Sequence, residues 1–172
     1  ITLVAQVKEL HGKKKVVDDW LLSRTQENLH QANVAMEKYD LRELALVVYY
    51  AMYDDLRWYV RRGGESTVTI REFLSIWAKL LCPITPHLSE EINVEKSLVS
   101  ASSWPKYEEQ KISKKAEAGE EMIRICMEGM RQIISLVKIE KPSTFTLFIA
   151  EEWLYDLFTV LHKETKVTRN VG

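Results

Sequence analysis

From Leu44 to Tyr53 the chain reads Leu-Ala-Leu-Val-Val-Tyr-Tyr-Ala-Met-Tyr, without a polar break. Asp40 stands ahead of it as an N-cap, and Glu43 three residues on completes a capping-box-like pair, so the run opens a helix. A helix apolar on every face belongs in the middle of a bundle, which demands other helices around it. At 172 residues and 46% hydrophobic, the chain is long enough for one large core or two small ones.

The partner helices are legible. Val17, Leu21, Thr25, Leu29, Ala32 and Met36 recur at steps of three and four, an amphipathic helix over residues 18–36. Asp18 and Asp19 sit at its start, where acidic groups meet the positive end of the helix dipole. Thr69-Ile-Arg-Glu72 has the form of a capping box ahead of Phe73, Leu74, Trp77, Leu80 and Leu81. Pro83 breaks that helix, and Thr85-Pro86 restarts another, with Thr85 as N-cap and Pro86 at the first helical position, running to about Ile92. A polar stretch then leads to Trp104-Pro105.

After Gln110 the character changes. Ala116, Ile123, Met127, Met130, Ile134 and Val137 space out a long helix over 114–138. Lys141-Pro142-Ser143 punctuates it, residues 144–150 (Thr-Phe-Thr-Leu-Phe-Ile-Ala) alternate as a strand, and 153–162 read as a helix. A strand needs a partner, which either residues 166–171 or a segment past Gly172 must supply. The fold class expected is mostly α: residues 1–110 form a helix bundle, and 111–172 open a small helix-strand-helix α/β domain that is truncated. Ile1 in place of Met, with no signal peptide and no long apolar run, makes the chain a soluble piece of something longer.

The chemistry concentrates at Asp55-Leu-Arg-Trp-Tyr-Val-Arg-Arg-Gly-Gly-Glu65. On a helix, Arg57 and Arg61 lie one above the other, with Trp58 and Arg62 on the neighbouring stripe. Forked cations beside flat rings suit RNA phosphates and exposed bases. The alternative is a solvated helix end whose arginines pair with Asp54 and Asp55. A formal net charge of −1 argues against a free-standing nucleic-acid binder, but not against a local patch within a larger protein.

Other chemistry is missing. Gly12-Lys13-Lys14 lacks the upstream glycine and the following hydroxyl of a phosphate loop. His11, His30, His87 and His162 show neither metal spacing nor a nucleophile partner. Cys82 and Cys126 are two thiols with no ligand spacing. Glu90-Glu91 and Glu120-Glu121 read as solvated helix faces. No catalytic, cofactor or metal residue is assigned. Lys111-Ile-Ser-Lys-Lys115 looks like the lysine-rich ATP loop of class I aminoacyl-tRNA synthetases. It stands after the bundle rather than before it, and no companion histidine signature accompanies it, so it reads as a linker.

Four motifs carry a resemblance: Asp19-Trp-Leu-Leu-Ser-Arg24, Asp54-Asp-Leu-Arg-Trp-Tyr-Val-Arg-Arg-Gly-Gly64, Leu80-Leu-Cys-Pro-Ile-Thr-Pro-His-Leu-Ser-Glu-Glu-Ile92 and Trp104-Pro105. In this order, over residues 16–110, they resemble the anticodon-binding helical domain of class I synthetases for branched aliphatic amino acids. The Arg-Trp-Tyr core with its double arginine is most similar to the leucyl enzymes of archaeal and eukaryotic type. Residues 111–172 resemble the beginning of the archaeal C-terminal domain. Asn93 stands where the family usually has Trp, and the 94–100 connection is shorter than usual.

The resemblance implies a tRNA-binding, non-catalytic segment of a cytoplasmic ligase. Its partners would be tRNA(Leu) and the rest of the synthetase chain, with no membrane. The segment itself would hold no cofactor. ATP with Mg would serve a catalytic domain elsewhere, and a separate domain would edit mischarged tRNA. The bundle would dock the tRNA body, and the region after Gln110 would begin the arm that reaches the variable loop. Arg57, Arg61 and Arg62 would neutralise phosphates, with Trp58 or Tyr59 packing on sugar or base. Arg24 would contact tRNA or pair internally with an acidic residue of a neighbouring helix. Trp20, Leu21, Trp77 and Leu81 would be core. The same domain of a valyl or isoleucyl enzyme, or a non-enzymatic helical interaction module, are the rival readings.

Overall fold

The computed structural model describes residues 2–138 and 142–167. They form α1 (Thr2–Lys8), α2 (Val16–Glu37), α3 (Leu41–Ala45), a π-helical segment (Leu46–Ala51), α4 (Met52–Arg61), α5 (Thr67–Leu81), α6 (Pro86–Ile92), α7 (Lys114–Val137) and α8 (Glu152–Val167). Single 3₁₀ turns at Val99–Ala101 and Glu109–Lys111 lie between α6 and α7. Two compact units result, residues 1–126 and 127–172. Lys111 to Cys126, placed with the second domain by the change of character at Gln110, therefore packs with the first unit.

In the first unit α2 is the central helix, lying against α3, α4 and α5. Leu21 and Leu29 of α2 are fully buried with Leu44, Met52, Leu56, Phe73, Leu74 and Leu80. Each such side chain contributes roughly 1.5–3 kcal/mol relative to exposure. The α2 N-terminus is tied down by Asp18, whose carboxylate accepts from the Lys15 amide at 2.6 Å and the Tyr59 hydroxyl at 2.7 Å. Tyr59 also accepts from the Ser66 amide at 3.0 Å, where α5 begins. α4 ends because Gly63 takes a left-handed φ of 74° and the Gly64 amide returns to the Tyr59 carbonyl at 2.9 Å. A Cβ on Gly64 would lie 2.3 Å from the Tyr59 ring, so no side chain fits there.

Several expectations change. The apolar run is not buried all round: Leu46 is 44% exposed, Tyr50 66% and Tyr53 38%. Its middle is a π-helix, into which the Trp77 indole donates at the Val48 carbonyl, 2.8 Å away. α5 starts a turn earlier than Thr69, because the Ser66 hydroxyl accepts the Thr69 amide as N-cap. Thr85 holds the N-cap position of α6 with Pro86 at the first turn, but its hydroxyl accepts from Tyr49 at 2.7 Å instead of capping. α1 was not anticipated; it buries Val4 and Val7.

In the second unit the end of α7 and α8 stand where the periodicity placed helices. Residues 144–150 form no strand, and no strand ladder exists among the described residues. Alternation supplies one pleated face, whereas a ladder requires a second backbone to accept its hydrogen bonds. The pairing considered for residues 166–171 falls mostly outside the described residues.

Candidate nucleic-acid interface

Helix α4 has two chemically opposite faces. Inward it presents Met52, Asp55, Leu56 and Tyr59, all buried. Outward, Tyr50 and Tyr53 continue at helical spacing into Arg57 and Arg61. The Arg57 guanidinium lies 5.8 Å from the Tyr53 ring centre, and that of Arg61 lies 5.9 Å from the Trp58 ring. Arg57 is 62% exposed, and among the described residues its one ion pair is with Asp54 at 3.3 Å, an exposed pair of small energetic weight. Arg61 is exposed and has no carboxylate within ion-pair distance among the described residues.

The six residues singled out from sequence thus divide. Arg57 and Arg61 are on open surface. Trp58 is half-buried, its indole N–H donating to Glu120 at 2.9 Å. Arg62 donates to the same Glu120 oxygen at 2.8 Å, so its charge is largely matched. Arg24 follows the internal alternative: its guanidinium meets Glu27 at 2.6 Å and Asp55 of α4 at 3.3 Å. Tyr59 is a correction. Its ring is 0% exposed and its hydroxyl is engaged on both sides, so it is a core residue and no surface for RNA. Burial and the Asp18 bond push that hydroxyl well above the ordinary phenol pKa. Burial likewise raises the Asp55 carboxyl, against the pull of Arg24 and of Asn28, which donates at 2.8 Å.

Glu120 corrects the reading of Glu120-Glu121 as a solvated face. It is buried, and it bolts the first half of α7 to the end of α4. Its position was readable: Ala116, Glu120, Ile123 and Met127 share one helical face, and an acid inside an apolar stripe demands partners. Arg124, one turn on, carries no sequence motif that marks it. Its guanidinium sits 4.6 Å from the Trp58 ring centre and 5.7 Å from that of Trp20. Tyr50 and Tyr53 were hidden by the expectation that the apolar run is fully buried.

The lysine-rich 111–115 loop has a structural role. The Ser113 amide donates to the Ser23 hydroxyl at 2.8 Å, and that hydroxyl donates to Glu117 at 2.5 Å. Lys111 pairs with Glu72 and Glu108, and Lys114 with Glu27 and Glu117. Burial raises the Glu117 pKa, but the bonds from Ser23 and Lys114 outweigh it and hold the carboxyl below its usual value. Lys114 is pushed up to about 12 by its bonds to Glu27 and Glu117.

Among the described residues no cluster of three or more His, Cys, Asp or Glu is arranged to hold a metal ion. No described helix is long and apolar enough to cross a membrane. What the α4–α7 corner can do chemically is present cations and rings to a polyanion.

Residues 18–149 match the family described as the anticodon-binding domain of tRNA ligase. Three archaeal proteins are among those the chain is similar to. The leucine–tRNA ligase of Methanococcus maripaludis strain C7 is 37% identical over 170 residues, 95% of this chain and 18% of that protein. That of Methanocaldococcus jannaschii is 36% identical over 148 residues, 84% of the chain and 16% of the ligase. That of Pyrococcus abyssi is 29% identical over 171 residues, 92% and 18%. The chain spans less than a fifth of the length of these relatives.

Proposed function

The chain belongs to the family of anticodon-binding domains of tRNA ligases, and on that premise we propose that it is the tRNA-docking part of an archaeal-type leucine–tRNA ligase. The whole enzyme attaches leucine to tRNA(Leu) at the expense of ATP with Mg in the cytoplasm. Those reactions belong to its other domains, and this segment contributes binding alone. The observation that carries the reading is the outward stripe of α4, where Arg57 and Arg61 stand beside Tyr53 and Trp58 with no strong carboxylate partner. Arginine forks neutralise backbone phosphates, and the neighbouring rings give a ribose or an unstacked base something to lie on. Because the net charge is −1, affinity comes from this local patch working together with the rest of the enzyme.

The test is an Arg57→Ala, Arg61→Ala pair in the full-length protein. Affinity for tRNA(Leu) falls about tenfold or more, and the salt slope of binding shrinks by up to about two units. The melting temperature stays put, since both side chains are exposed. An unchanged slope would remove the docking role of α4. Charging assays with leucine, valine and isoleucine tRNAs identify the amino acid.

A further inference from the structure

We infer that Arg124 and Arg61 form a two-helix clamp for one backbone phosphate of the bound RNA. The inference rests on the docking role of α4 proposed above and adds to it a residue from α7.

Both guanidiniums are stationed on one indole: Arg124 is 4.6 Å and Arg61 5.9 Å from the centre of the Trp58 ring. That ring is held in place, because its N–H is bonded to the buried Glu120. The Trp20 ring, 5.7 Å away, holds Arg124 from a second side. A guanidinium attracted to a ring by its charge still has N–H donors to offer to an anion. Neither arginine has a carboxylate within ion-pair distance among the described residues, although Glu117 and Glu121 line the same open groove of about 460 Å³ as Arg124, with Arg24 and Lys114. Arg62, by contrast, has taken the Glu120 oxygen. Arg124 feels the buried Asp55 carboxylate only at a distance and neither arginine is directly ion-paired among the described residues, so two cations beside one indole keep donors for an arriving anion.

The anion is a phosphodiester rather than a base. With two guanidiniums beside Trp58, a ribose or base of the docked RNA is left to the Tyr53 side of the stripe, while the donor edges of Arg61 and Arg124 match phosphate oxygens.

The experiment compares Arg61→Gln, Arg124→Gln, the double variant and Arg124→Lys in the full-length protein, binding a tRNA(Leu) transcript across a salt series. Each Gln variant weakens binding about tenfold and lowers the salt slope by about one unit. Because one phosphate is shared, the double variant also loses about one unit, not two, and falls well short of the product of the single losses. Arg124→Lys keeps the slope. An unchanged affinity and slope for R124Q while R61Q is weakened overturns the clamp and leaves the α4 reading standing. Unchanged binding in R61Q as well removes both. A two-unit loss in the double variant overturns the sharing. If R124K binds as poorly as R124Q and both melt lower, Arg124 is a packing residue and the clamp is wrong.

Discussion

The two compact units handle apolar side chains in opposite ways. In residues 1–126, Leu21, Leu56, Phe73 and Leu74 are sealed between helices. In residues 127–172 no described side chain is buried, and Phe148 is 93% and Leu136 81% exposed. Both stretches carry amphipathic helices, α4 and α5 in the first and α8 in the second. The difference shows that periodicity establishes a helix and its apolar face, but not what covers that face. The first unit holds several helices whose faces meet, and α2 is the surface on which they converge.

The sharpest way to break this contrast is truncation on each side. Leu56→Ala costs about 2–5 kcal/mol of stability by chemical denaturation, as a buried leucine leaves a cavity. Phe148→Ala costs about 0.5 kcal/mol or less in the same measurement, as expected of an exposed position. Equal losses would mean that residues 127–172 have a core of their own.

The boundary between the regions can be tested at Glu120, the acid that draws the first half of α7 onto the bundle. Glu120→Gln keeps the shape but removes the charge facing Arg62, and costs about 1–3 kcal/mol. Amide hydrogen exchange over residues 114–126 speeds accordingly, while exchange in α8 is unchanged. Faster exchange in both would show that the two regions open together.

A smaller effect follows from acid. The Glu117 carboxyl has its pKa below the ordinary value, so its contribution is complete above the unfolded value of about 4.5 and is lost as pH falls through the folded one. Asp55 has the opposite sign: its raised pKa means that protonation costs the fold nothing as pH drops. Docking of α7 on α2 should thus loosen below about pH 4.5, with a weaker response in Glu117→Gln. Tryptophan fluorescence from Trp20 and Trp58 is the measurement. A profile identical in that variant would clear Glu117 of the role.

How much of this was legible depends on how far the deciding partner lies along the chain. The 18–36 periodicity, Pro86 at a helix start and the glycines after Arg62 act within a few residues, and each held. Tyr59 and Trp58 are neighbours of the same aromatic type, yet one is sealed by Asp18 and Ser66 while the other carries guanidiniums. Helical spacing does put Tyr59 on the Met52–Leu56 stripe and Trp58 among Asp54, Asp55, Arg61 and Arg62, but Asp18, which seals the one, and Arg124, which loads the other, lie far along the chain. Arg24 and Arg61 differ partly through a local acid, Glu27 three residues after Arg24, and partly through Asp55, which reaches Arg24 from another helix.

The places of α2, α5, α6, α7 and α8 and the family motifs were determined by the sequence alone, because hydrogen bonding and amphipathicity repeat every few residues, whereas α1 and the π-helical segment were not. Which arginines stay open, which glutamate goes inside and which tyrosines face water were decided only by the tertiary structure. Those outcomes turn on groups brought together from distant positions, such as Arg62 with Glu120 and Arg24 with Asp55, and on the desolvation that makes each pairing necessary.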